Sequence, residues 1–205
     1  MRTWCAVVMM VLLFSASGFA GDEPVPPRST LLIFQDLMRS TADSLFALIP
    51  NNSSATTSTA ISPPATSWYL EQPLFETLRT RQLVPAQSAD AEYVAEFGVT
   101  RADVAYRDLR RTWFLGSQVV DRVVQLTVWT KLVERKSGAV LAARESVRSF
   151  VDTVFVSDTE SLETPGIPAT RGTLPPAGVF SSFVEPVVLV GSIAVAIVLL
   201  FSVRS

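Results

Sequence analysis

The side chains best suited to gripping another molecule are concentrated in one stretch, residues 106–121 (YRDLRRTWFLGSQVVD), where Arg107, Arg110 and Arg111 stand beside Trp113 and Phe114. Guanidinium groups fork onto carboxylate or phosphate, and large rings anchor in a partner's pocket. The same residues also fit a plain solvated connector whose rings tuck under a neighbouring sheet. Both readings put them on a short loop between two strands. They are the first candidates for a partner-binding surface.

Catalysis has little to work with. There is no histidine, which removes the usual imidazole base and the commonest metal ligand. The single cysteine, Cys5, lies near the N-terminus. No nucleophile elbow, Ser-x-x-Lys motif, P-loop or glycine-rich dinucleotide turn is present. Asp103 with Asp108, or Glu134 with Glu145, could act as paired carboxylates only if the fold brought them together. The expectation is no catalytic residue, no metal site, no cofactor and no enzyme activity. A net charge of −2 gives no broad basic surface, so nucleic acid is not an expected partner.

Several elements must position these residues. Ser29 or Thr30 can cap a helix carrying Leu31, Phe34, Leu37 and Met38 at helical spacing. Residues 44–49 read as a short buried strand, and the polar tract 51–60 as a loop. A second helix begins near Pro73 and presents Leu74, Phe75 and Leu78 to the core, with Trp68 and Tyr69 just ahead of it as packing or as a recognition edge. Leu83 and Val84 suggest a short strand. Tyr93, Ala95, Phe97 and Val99 alternate on a half-buried strand, and Val124, Leu126, Val128 and Leu132 on the next. After a turn at 134–138, a returning strand sets Leu141, Ala143 and Val147 on one side, with Glu145 interrupting that face. The fold class is α+β: a small mixed sheet with C-terminal antiparallel strands, packed by two helices. No nucleic-acid or cofactor motif interrupts this pattern.

The ends carry different signals. Arg2, an apolar run from Cys5 to Phe14 and the small residues Gly18 and Ala20 at the −3 and −1 positions of a cleavage site make residues 1–20 read as a signal peptide. Cys5 stands at the start of the apolar run and not after it, so it is not placed as a lipid-anchor cysteine. Residues 186–203 follow Pro186 without a charge and give about 27 Å of helix, close to bilayer thickness. The expected organisation is a signal peptide at 1–20, a Pro-rich mature start at 21–28 and an extracytoplasmic domain at 29–157. A Pro-rich stalk follows at 158–178, then a transmembrane helix at 179–203 and a cytoplasmic tail at 204–205. This topology implies a single-pass protein of the cell inner membrane with its domain on the periplasmic side.

The order of elements, carried by AEYVAEFGVTRADV and VVQLTVWTKLVERKSGAVLAARESVRS, resembles the periplasmic domains of the curli-secretion channel family (CsgG-like) and of the penicillin-binding-protein activator lipoproteins. The resemblance spans roughly residues 29–155 and implies their α/β fold and an envelope location. It does not extend to their lipid anchor, and the 106–121 insert lacks the outward apolar alternation of a lipid-facing barrel strand. Two functions follow from it. One is a non-enzymatic, membrane-anchored assembly or scaffold module that binds an envelope protein. The other is a subunit of an oligomeric secretion or transport complex, with copies of the chain as partners.

Overall fold

The computed structural model describes residues 26–50, 55–87, 89–113, 116–176 and 193. The first helix, α1 (Thr30–Phe46), starts where the Ser29 hydroxyl accepts from the Leu32 amide at 3.4 Å. Its buried side is Thr30, Ile33, Phe34, Met38, Thr41, Ala42, Leu45 and Phe46. That three-and-four spacing runs into the expected strand at 44–49, so residues 44–46 are helix and 47–49 are the turn that ends it. An apolar run this short fits either element, and its phase with the upstream stripe decides between them.

Strand β1 (Thr56–Ser62) corrects the expected loop at 51–60. Its Thr-Thr-Ser-Thr run looks polar, but threonine is β-branched and fits a pleated surface, and Thr57 and Ser58 are buried. The chain then makes a short turn, α2 (Pro64–Ser67), and a 3-10 turn at Trp68–Leu70. Helix α3 (Glu71–Thr80) follows and leads to β2 (Val84–Pro85). Leu74 and Leu78 of α3 enter the core as expected, whereas Phe75 stays exposed.

Three long strands complete the sheet: β3 (Tyr93–Arg111), β4 (Gln118–Glu134) and β5 (Val140–Phe155). The spatial order is β2-β1-β3-β4-β5. Strand β1 is parallel to both its neighbours, and β3, β4 and β5 are antiparallel. The sheet is therefore mixed, with α1 and α3 on one face and the other face largely open.

Register explains two departures from simple alternation. A bulge between Val99 and Arg101 leaves Thr100 without a partner opposite it. Before it, Ala95 and Phe97 point into the core; after it, Val104 and Tyr106 do. One extra residue exchanges the faces of everything that follows. On β5 the core-side residues are Ala142, Arg144, Ser146, Arg148, Phe150, Asp152 and Val154, set opposite the buried row of β4. Leu141, Ala143 and Val147 therefore line the open face. The interruption expected at Glu145 belongs to that uncovered side.

The expected stalk at 158–178 is, over its described part, packed structure. Beyond β5 come a 3-10 turn at Val156–Asp158, the short helix α4 (Thr159–Leu162) and a 3-10 turn at Pro168–Thr170. Leu162, Ile167 and Thr170 are buried. Thr170 fastens the segment to itself, donating to the Ile167 carbonyl at 2.8 Å and accepting from the Thr164 amide at 2.9 Å. A side chain at Gly172 would come within 2.6 Å of the Tyr106 ring. The prolines shape a close-fitting strap across β3, an outcome that composition alone does not separate from a tether. The expected signal peptide and membrane helix lie outside the described residues; among the described residues no helix is long and apolar enough to cross a membrane.

Candidate functional site

The arginine-rich stretch is less of a loop than its composition suggests. Strand β3 runs to Arg111 and β4 starts at Gln118, so only residues 112–117 form the turn. A second bulge, between Arg107 and Arg110, accommodates the charges, and Asp108 takes the positive φ of 54° that it needs. Arg107 then stands opposite Asp121, Arg110 opposite Val119 and Arg111 opposite Gln118.

Arg110 reaches along the open face. Its Nη2 donates to Asp121 Oδ1 at 2.9 Å, and its Nη1 to the Asp108 carbonyl at 3.2 Å. Thr153 on β5 donates to the same Asp121 oxygen at 2.6 Å. These bonds favour the ionised carboxyl, so Asp121 is held below the usual aspartate range, first by Arg110 and then by Thr153. Asp121 in turn raises the Arg110 guanidinium. The network ties the ends of β3, β4 and β5 together at the root of the hairpin.

At the tip, Thr112 donates its amide to the Ser117 carbonyl at 3.0 Å, and Gly116 donates to the Trp113 carbonyl at 2.9 Å. A side chain at Gly116 would meet the Thr112 hydroxyl at 2.3 Å and the Trp113 amide nitrogen at 2.8 Å, so the turn requires glycine. Trp113 is left 72% exposed. Of the expected binding residues, Arg107, Arg110 and Trp113 are exposed towards the hairpin end, and Arg111 is half-buried at the strand terminus. Phe114 lies outside the described residues. The alternative in which the aromatic tucks under the sheet does not hold for Trp113.

The carboxylate pairs are not brought together. Asp103 is held by Arg101, with Nε to Oδ1 at 2.6 Å, while Asp108 sits five residues on at the bulge. Glu134 accepts from Ser137 in the β4–β5 turn, whereas Glu145 is opposite Trp129, about 16 Å away along the ladder. Trp68 and Tyr69 divide between their two readings: Tyr69 is buried edge-on to Phe34, and Trp68 is exposed. With Leu31, Gln35 and Phe75 they line an open groove of about 720 Å³ between α1 and α3.

One charged residue was missed. Arg122, on the core face of β4, is 0% exposed. Its Nε and Nη2 fork onto Asp152 at 2.9 and 2.6 Å, Nη1 donates to the Thr30 hydroxyl at 3.0 Å, and Nη2 also reaches the Arg28 carbonyl at 2.9 Å. The sequence did carry a signal, since Arg122 falls in phase with Val124, Leu126 and Val128. A charge at a core position must find a partner.

Neither a protein-family model nor a curated protein matches the sequence. Solved structures of bacterial lipoproteins are similar to it in fold. A minor lipoprotein from Acinetobacter baumannii is 19% identical, with 52% of this chain and 73% of that chain covered and a TM-score of 0.35. The LpoB C-terminal domain from Salmonella enterica is 6% identical, covering 56% and 97%, with a TM-score of 0.32. Lipoprotein GNA1162 from Neisseria meningitidis is 13% identical, covering 68% and 98%, with a TM-score of 0.32.

Proposed function

We propose that this chain is a non-enzymatic, membrane-anchored module of the cell envelope that binds a partner protein through the β3–β4 hairpin end. The observation that carries the reading is the pairing of an exposed Trp113 with a rigid root. The ring is presented on a tight turn, while Arg110, Asp121 and Thr153 fix the strands beneath it. A large ring held at low conformational cost suits a binding anchor, and neighbouring guanidinium groups suit an acidic surface around it. The binding residues of this reading are Arg107, Arg110, Arg111, Trp113 and Phe114.

The apolar stretches at 1–20 and 179–203 support export and a single inner-membrane span, with the domain on the periplasmic side. A photo-crosslinking residue at position 113, incorporated in intact cells, tests the binding surface. It should capture one envelope protein, and Arg110→Ser/Arg111→Ser should weaken that capture without unfolding the domain. Unchanged capture by the double variant would remove the arginines from the surface. Protease added to spheroplasts tests the topology, and a domain protected until the inner membrane is opened would overturn it.

A further inference from the structure

We infer that the outer edge of β5 pairs, antiparallel and across a two-fold axis, with β5 of a second copy of this chain. This uses a surface separate from the hairpin end and goes beyond the partner-binding reading. The two edges of the sheet differ sharply. Strand β2 has two residues and ends at Pro85, which blunts that edge. Strand β5 has 16 residues, none of them proline, glycine or lysine, and among the described residues nothing pairs with its outer side. A long edge that proline does not interrupt can template another strand.

The side chains on that edge are self-complementary. On the open face Val147 and Val151 are 60% and 61% exposed, with Phe155 exposed further along. Placing Ser149 on the two-fold axis sets Val147 of each copy against Val151 of the other, and Ala143 against Phe155. On the core face it sets Arg148 against Phe150 and Ser146 against Asp152, so no two like charges are opposed. Sliding the copies one step, with Arg148 on the axis, would oppose the two arginines. Sliding the other way, with Phe150 on the axis, would put the valines against Thr153 and Ser149. The contact with Ser149 on the axis is isologous, and it closes at two copies.

The full chain in its native membrane tests this. In a Cys5→Ser background, Ser149→Cys supplies the sole thiol, and mild oxidation should yield a disulfide-linked pair of chains. Thr66→Cys, exposed on α2, should not. In detergent the chain should sediment as a dimer. Val147→Lys/Val151→Lys opposes like charges twice and should raise the dimer dissociation constant about tenfold or more, with the strand circular-dichroism signal retained. Val147→Lys/Val151→Glu opposes unlike charges and should restore pairing. The proposal is overturned by a single-chain mass for the unaltered protein or by a mass above two copies. It is equally overturned by Ser149→Cys linking no better than Thr66→Cys, by a disulfide to a different protein, or by equal weakening in the two charge variants.

Discussion

Arg122 and Asp152 face each other across β4 and β5 on the core side of the sheet and join through two hydrogen bonds, at 2.9 and 2.6 Å. The same guanidinium holds Thr30 at the start of α1, so one side chain locks the first helix to the last two strands. Arg122→Ala would leave the half-buried Asp152 carboxylate and the buried Thr30 hydroxyl without their guanidinium partner. The expected cost is about 3–5 kcal/mol in chemical denaturation of the domain. Arg122→Met/Asp152→Leu should lose much less than the two single replacements summed, because no charge is then left alone.

Asp121 supplies a pH test. Its carboxyl is depressed below the ordinary value of 3.8 by Arg110 and Thr153. Its contribution to stability is therefore complete above that ordinary value and disappears as pH falls through the depressed one. In Arg110→Ala an NMR titration should move the Asp121 carboxyl upward, towards the ordinary value. An unchanged titration would show that the pair does not form in solution.

Gly172→Ala should loosen the strap over β3. The added methyl would sit 2.6 and 2.8 Å from two carbons of the Tyr106 ring and 3.1 Å from a Val104 methyl. Overpacking of this kind costs about 1–3 kcal/mol. Limited proteolysis should then cut within residues 156–176 more readily than in the unaltered protein, and Tyr106→Leu should relieve part of the effect.

The two faces of β4 should respond differently to charge. Leu126→Asp buries a carboxylate among apolar side chains and should cost more than about 4 kcal/mol, enough to abolish folding. Gln125→Asp, half-exposed on the open face, should be mild. Thr127 is a poorer control than its phase suggests, since it is buried on that face. The yield and denaturation midpoint of the folded domain report both effects.

Both main helices, β4, β5 and the first half of β3 were legible in the sequence because their apolar spacing is sustained, whereas β3 beyond its first bulge was read as connector. Leu126, Val128 and Leu132 on β4, and Leu74 and Leu78 on α3, fell on the core side as expected. Elements whose burial depends on distant context were not legible. Nothing local marks Thr56–Ser62 as a strand between β2 and β3, and only the packing of α1 decides residues 44–46 in favour of helix. At the hairpin end, composition identified the arginines and Trp113 but not the bulge at Asp108 that lets β3 continue. Arg122 was visible as a phase anomaly, yet its partners lie 30 and 92 residues away in the chain.

The seat of Gly172 against Tyr106 has a mechanical consequence. A pull applied at Pro176 is not taken up by slack chain, because the strap lies between that point and the end of β5. The first bearing it loads is the ring of Tyr106 on β3, which shares its strand with the arginines of the hairpin root. Tension from the C-terminal side would thus be felt on the strand that, in the proposed reading, carries the partner-binding arginines.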